Sequence, residues 1–375
     1  MTSIAFTGDI SFSKYMTDSW KKEDLLDEQV KGFLHSADHV VANVECTLST
    51  TPTTAGGLKH SSDPRAGGYV RDVVGSKIWS LANNHILDSK APGLLDTLEV
   101  AKEYGCQTIG AGVNKDAAAK PVYLDAEGGI GIFSVVYDIS TLRTPENEPG
   151  VLIWNETERI QKTIDEIKAK CRWCVMVVHG QRCEFTSMAL PAARQRMISF
   201  LDMGADVIVG HHPHVVQNYE VFGEKIIFYS LGNFVFDTDY QRLQRYTDQG
   251  IFVKLAFDKD SFTWDHRAMK IDRTGQCIVP CETPAIFTGI PASQYRLLWP
   301  LAMHDLYENE RVKFGYLFPK MKGISKKKWA AFYRERGKKY PRWQCIARGD
   351  RLYRLGLWRL GDKKVRSYIT DGMRK

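Results

Sequence analysis

Five apolar runs in this chain stop at residues able to bind a metal ion, and that repeated ending constrains the fold more than any other feature. Ile4-Ala-Phe-Thr-Gly-Asp9 ends in a carboxylate after glycine, and Val40-Val-Ala-Asn43-Val-Glu45 ends in an amide and a carboxylate. Trp79-Ser-Leu-Ala-Asn83-Asn84-His85 ends in two amides and an imidazole, and Cys174-Val-Met-Val-Val-His179 in an imidazole. Val207-Ile-Val-Gly210-His211-His212-Pro213-His214 ends in three imidazoles. Metal ligands must be donors held at places the backbone fixes, and strand ends followed by tight turns supply such places. In open α/β sheets, ligands gather beyond the carboxyl ends of the strands. Taken singly, most of these endings have a structural reading: an Asp after glycine is a turn residue or cap, and Asn-Asn-His a turn. The three-histidine cluster is different, because so many imidazoles in so few residues make little sense without a metal or an anion.

The rest of the pattern agrees with an α/β body. Strands are expected at Ser3–Thr7, His39–Val44, Lys77–Ala82, Ile130–Val136, Trp173–Val178, Asp206–Gly210, Lys225–Leu231, Ile251–Phe257 and Thr263–Lys270. Several are apolar on both faces, as strands of a covered sheet are. Helices are expected at Lys22–Ser36, Gly93–Tyr104, Glu156–Lys170 and Pro191–Met203, the last opened by Pro191 and closed by Gly204. Alternation of the two argues for α/β layers, and the closer spacing of the final strands for an antiparallel part. Thr50–Gly68, rich in Thr, Gly, Ser and Pro, reads as a long loop of the kind often functional beside a site.

With 375 residues and 43% hydrophobic content, the chain can bury a large core. No apolar run reaches about 18 residues, so no transmembrane helix is expected. The N-terminus shows no basic or apolar leader segment, and the eight cysteines show no disulfide framework, so a cytoplasmic protein with reduced thiols is expected. Cys171-x-x-Cys174 lacks a second pair at zinc spacing and opens an apolar run, which favours a packing role. Charge is unevenly spread. Residues 311–375 hold 21 Lys and Arg against 4 Asp and Glu, a net +17, which leaves 30 against 40, a net −10, for the first 310. The tail interleaves its cations with aromatics, as in Lys326-Lys-Lys-Trp-Ala-Ala-Phe-Tyr. It reads as a solvated face packed on the acidic body, as an interfacial segment on anionic lipid, or as a dock for a polyanion. Nucleic acid is not expected, since no fold-level signature accompanies the charge.

Gly8-Asp9-Ile10, Asn43-Val44-Glu45, Ser80-Leu-Ala-Asn-Asn-His85-Ile-Leu-Asp88, Gly204-Ala-Asp-Val-Ile-Val-Gly-His-His-Pro-His214-Val-Val-Gln217 and Phe228-Tyr-Ser-Leu-Gly-Asn-Phe234 resemble, in order, the motifs of CapA-type capsule-synthesis proteins, implicated in poly-γ-glutamate biosynthesis. These belong to the calcineurin-like metallophosphoesterase superfamily. The resemblance implies a layered α-β-β-α sandwich over residues 1–290, followed by a basic, aromatic-rich region over 291–375. It implies two divalent metal ions (Mn, Fe, Zn or Co) held by Asp9, Glu45, Asn84, His179, His212 and His214. Glu45 would bridge them, Asp9 and His214 would serve the first ion, and Asn84, His179 and His212 the second. His85 would protonate a leaving oxygen. Asn43, Glu184, His211 and Asn233 are expected to help bind substrate. Ser11 stands where the superfamily has a histidine, a substitution common in the CapA-type proteins, and His179-Gly-Gln-Arg-Cys-Glu184 departs from the family's usual string around its lone histidine. The implied function is metal-dependent phosphoester hydrolysis on an anionic substrate or polymer, with a non-catalytic polymer-binding or export accessory role as the alternative. A peripheral contact with the inner membrane face would go through the basic region.

Overall fold

The computed structural model describes residues 1–55, 57–181 and 184–295. Two sheets form the body. The larger has eight strands, in the order Cys277–Pro280, Phe262–Asp272, Gln249–Phe257, Thr2–Ile10, His39–Val44, Ile78–Ser80, Gln107–Ile109, with Asn233–Val235 added beside the far end of Thr2–Ile10. The second has six, in the order Tyr219–Phe222, Lys225–Phe228, Val207–His211, Trp173–His179, Ile130–Val136, Val122–Leu124. Both are parallel at the centre. The large sheet becomes antiparallel through its last three strands in the chain, as their close spacing leads one to expect.

Three apolar layers separate four structural ones. Between the sheets, Ile4, Phe6 and Val41 meet Ile132, Val175 and Val207. On the outer face of the large sheet lie helices Glu28–His35, Ala66–Asp72 and Lys90–Glu103, whose Val30, Val70 and Leu94 share a core with Ala5, Val40 and Trp79. On the outer face of the second sheet lie helices Thr157–Lys168 and Pro191–Asp202, whose Ile164 and Phe200 pack with Phe133, Met176 and Ile208. The protein is thus the expected α-β-β-α sandwich. Strands covered on both faces explain the near-continuous apolar runs.

The differences from the sequence reading have local causes. The first helix starts at Glu28, not Lys22, because Asp27 caps it by accepting the Gln29 N–H at 2.8 Å. Ahead of it, Leu25 and Leu26 are buried by lying along the strand Cys277–Pro280: the Ile278 N–H donates to the Leu25 carbonyl at 2.7 Å. The run Lys225–Leu231 leaves its sheet at Phe228 and crosses to the other, where Asn233 pairs with Asp9. The Thr50–Gly68 segment is a loop apart from a two-residue strand at Ser61–Ser62 and the start of helix Ala66–Asp72. Residues 296–375, nearly all of the basic region, lie outside the described residues. Among the described residues, no helix is long and apolar enough to cross a membrane.

Candidate metal centre

The carboxyl ends of the central strands of both sheets meet at one place. Asp9 reaches it through an irregularity. The strand Thr2–Ile10 pairs Phe6 with Val41 but Asp9 with Asn43, so two residues of one strand are spent against one of the other. Gly8 makes this fit, since a Cβ there would lie 2.4 Å from the Gly232 carbonyl oxygen. The Asp9 N–H donates to that same carbonyl at 3.0 Å. Glu45 follows, tied by its N–H to the Ile10 carbonyl at 2.8 Å. Asn83 anchors the next turn by donating from Nδ2 to the Val44 carbonyl at 2.7 Å and accepting the His85 N–H at 3.1 Å, so that Asn84 and His85 project from it. Gly210, whose Cβ would lie 2.1 Å from the Tyr229 carbonyl oxygen, permits the His211–His214 turn. His212 sits in the left-handed region at φ 89°. Such a backbone costs about 1–3 kcal/mol and persists where the surroundings over-determine it, often at functional sites.

Two groups of ligand atoms result. Glu45, His179 and His212 form one, and Asp9, Glu45 and His214 the other. Within each, the donor atoms lie within 4.8 Å of one another, and Glu45 is common to both. Asn84 joins the first, its Oδ1 lying 2.6 Å from His179 Nε2 and 3.2 Å from His212 Nδ1. Glu45 Oε1 lies 3.4 Å from His179 Nε2 and 3.9 Å from both His214 Nε2 and His85 Nε2. Asn43 and His211 hold Asp9: Asn43 Nδ2 donates to Oδ1 at 2.7 Å, and His211 Nδ1 lies 3.1 Å from the same oxygen. Asn233 Oδ1 lies 2.9 Å from His214 Nδ1. The Glu184 carbonyl accepts the His214 N–H at 2.6 Å, and its carboxylate charge adds to the upward push of burial and Asp9 on Glu45 and opposes the downward pull of burial on His212. Every residue singled out from the sequence therefore lies in or beside one cluster.

The electrostatics call for a cation. Burial works against the Asp9 charge, but His211 Nδ1, 3.1 Å from Oδ1, and His214 Nδ1, 3.3 Å from Oδ2, outweigh it and hold its carboxyl well below the usual 3.8. Burial, then the charge of Asp9, pushes Glu45 well above 4.5. Two like charges so close do not both ionise unless something positive joins them. Asp9 Oδ2 and both oxygens of Glu45 are buried with no hydrogen-bond partner among the described residues, a costly condition for carboxylates. Burial also holds His179 well below 6.5 and brings His212 down to about 3. These imidazoles are neutral and keep a lone pair to donate. Orphaned carboxylate oxygens facing neutral imidazoles fit divalent cations.

A sequence model described as bacterial capsule synthesis protein PGA_cap matches residues 3–238. The chain belongs to this family. All of the cluster, from Asp9 to Asn233, lies inside the PGA_cap match. The capsule biosynthesis protein CapA of Bacillus anthracis is 30% identical over 253 residues, covering 64% of this chain and 61% of that protein. The PGA biosynthesis protein CapA of Bacillus subtilis (strain 168) is 31% identical over 248 residues, covering 64% of each. The chain thus spans somewhat under two thirds of the length of these curated relatives. The calcineurin-like phosphoesterase YfkN from Bacillus subtilis is similar in its solved structure, at 12% identity and a TM-score of 0.41, covering 84% of this chain and 98% of that one; likeness at that level bears on no chemistry.

Three neighbours of this PGA_cap centre were not singled out from the sequence. Asp88 Oδ2 lies 2.7 Å from His85 Nδ1. Tyr137 packs its ring on His212 at 4.8 Å between centroids. His60, from the long loop, is 2% exposed and stands edge-on against His85 at 4.3 Å. Asp88 closes the quoted Asn-Asn-His motif and was open to notice there. A lone loop histidine and a lone tyrosine carry no spacing that marks them.

Proposed function

We propose that this chain is a dinuclear metal-dependent phosphoester hydrolase acting on an anionic substrate in capsule or poly-γ-glutamate biosynthesis. The observation that carries the reading is the pair of ligand groups sharing Glu45, with its two buried oxygens unsatisfied. Asp9, Glu45 and His214 would hold one ion, and Glu45, Asn84, His179 and His212 the other. Divalent ions there would supply a water nucleophile at neutral pH and charge to hold a phosphate in line. The mixed nitrogen and oxygen donors suit Mn, Fe, Zn or Co.

The protein's own groups do the rest. Asn43 and His211 occupy Asp9 Oδ1, which leaves Oδ2 for a cation. His85 rests its Nδ1 on Asp88 and turns Nε2 toward Glu45. A proton held at Nε2 is placed to reach a leaving oxygen in the cleft. The basic residues 311–375 are proposed to bind the anionic polymer or an anionic lipid surface.

The test is metal content of protein purified without chelator, together with turnover of generic phosphodiesters and phosphomonoesters. About two ions per chain with chelator-sensitive turnover is expected. Absence of bound metal after incubation with each of the four ions would overturn the reading. Metal without turnover would favour an accessory protein that holds an anionic polymer in the same cleft. Ser11 favours that second reading, because its hydroxyl is tied to Ser13 Oγ at 2.9 Å and gives the Asp9 side no imidazole.

A further inference from the structure

We propose that His60 is a positioning residue for His85, which it holds so that Nε2 faces the Glu45 carboxylate. The inference rests on the hydrolytic reading above for its consequence in turnover, but its geometry stands independently.

His60 arrives from the loop that joins Glu45 to the helix Ala66–Asp72, and it is fixed at both backbone and ring. Its N–H donates to Asp88 Oδ2 at 2.8 Å, the same oxygen that lies 2.7 Å from His85 Nδ1. Lys59 Nζ donates to Asp88 Oδ1 at 2.9 Å, so one carboxylate ties two consecutive loop residues to His85. The ring of His60 stands edge-on to that of His85, with centroids 4.3 Å apart and planes at 80°. On another side it meets Phe236 at 4.7 Å, and Phe236 in turn meets His214 at 4.6 Å. An aromatic wall therefore runs from His85 to His214. His60 Nδ1 pins this wall to the segment that follows the strand carrying Asp9: it lies 2.7 Å from Ser13 Oγ and 3.5 Å from Ser11 Oγ.

This arrangement also gives Ser11 a physical account. The space beside position 11 is filled by an imidazole from the loop, anchored on two serines. His60 is absent from both groups of converging ligand atoms. It abuts His85, and a ring held by Asp88 alone would remain free to tilt about that one contact. With His60 perpendicular to it at 4.3 Å and Asp88 on Nδ1, the ring is held from two sides. Small displacements of a catalytic group of about 1 Å lower rates by about 10²-fold.

The experiment compares wild type, His60→Ala and His60→Phe, each loaded with Mn²⁺. His60→Ala should lower kcat about ten- to a hundred-fold with KM and bound metal per chain unchanged. His60→Phe keeps a ring against His85 and deletes the bond to Ser13; it should restore kcat to within a few-fold of wild type. Nitrogen NMR of ¹⁵N-histidine-labelled protein at one fixed pH gives a readout that does not need turnover, with the His85 signals assigned by their loss in His85→Gln. In wild type they should report one environment for each ring nitrogen. In His60→Ala they should broaden or split. Unchanged His85 signals in a folded His60→Ala protein would overturn the proposal, as would a fall in bound metal, which would make His60 part of the metal site. If His60→Ala does not fold, His60→Phe decides: His85 signals and kcat near wild type support the proposal, and loss of both sinks it. Wild type without turnover would sink the hydrolytic reading and leave the spectrum to decide this one.

Discussion

Replacing Glu45 with glutamine should change the stability of this protein in opposite directions with and without metal. Without metal, burial and the charge of Asp9 push the Glu45 carboxyl well above 4.5. The folded protein then binds that proton more tightly than the unfolded chain does. The contribution to stability is fully present below about 4.5 and is lost as pH rises toward the folded value. Each pH unit separating the two values costs about 1.4 kcal/mol at pH above both. Glutamine does not titrate, and its amide can donate to Asp9 Oδ2, which is buried without a partner. Relieving one unsatisfied buried group is worth about 1–3 kcal/mol. For a domain of this size, 1 kcal/mol moves the melting temperature by roughly 2–4 °C. In chelator, Glu45→Gln should therefore melt a few degrees above wild type, with an advantage that grows as pH rises above about 5 toward the folded value. With Mn²⁺ at about a hundred times its dissociation constant, wild type should gain about 2.7 kcal/mol, and the variant little. The assay is a thermal melt of both proteins with chelator and with Mn²⁺ across that pH range. A variant that melts below wild type by the same amount in all conditions would show Glu45 to be a structural residue and refute the reasoning.

Three further outcomes follow from the same geometry. Asn84→Ala removes the oxygen lying between His179 and His212, so metal analysis should find about one ion fewer per chain in a folded protein. His85→Ala should keep metal and fold while lowering kcat about 10²- to 10⁴-fold on any ester the wild type hydrolyses; unchanged kcat would assign His85 to the turn alone. Ser11→His should destabilise the protein by about 1–3 kcal/mol in urea melts, since His60 already fills the space, as overpacked cores do. Adding His60→Gly should restore the loss, and a single Ser11→His variant as stable as wild type would show that space to be open.

The parts of this protein legible in its sequence are those that follow from periodicity. The strands His39–Val44 and Ile130–Val136 are found at the residues expected, because apolar runs buried on both faces mark their own ends. The residues Asp9, Glu45, His179 and His212 stand at or just past such ends, so the pattern that reveals the strands also reveals the cluster. Short elements fared differently. Gln107–Ile109, Val122–Leu124 and Cys277–Pro280 have three or four residues each, too few for a period to show. Leu25 and Leu26 fell inside the helix expected at Lys22–Ser36 yet lie along a strand edge, since burial there comes from a partner some 250 residues away. His60 was hidden for the same reason: what places it is a carboxylate, two serines and two aromatic rings from distant segments, and nothing in its own neighbourhood records them.

The division of ligands between the sheets gives the centre a further mechanical meaning. Asp9 and Glu45 come from the large sheet, and His179, His212 and His214 from the second and the turn that leaves it. Each group of ligand atoms draws on both sheets, so neither sheet alone completes either one. The layer between the sheets is mostly apolar, built of residues such as Phe6, Val41, Val175 and Val209, with one buried hydrogen bond from Ser80 to Ser134 crossing it at 2.9 Å. Such packing drives the sheets together without fixing their relative position to a fraction of an ångström. Directional contacts at the site add that precision, through His211 on Asp9, through Asn43 at 3.2 Å from His179 Nδ1 and through Asn84 between two histidines. A cation bound by both groups would add to the same registration. Metal binding and the docking of the two sheets are then coupled, which is why its removal is expected to lower the stability of the whole sandwich and not only to empty the cleft.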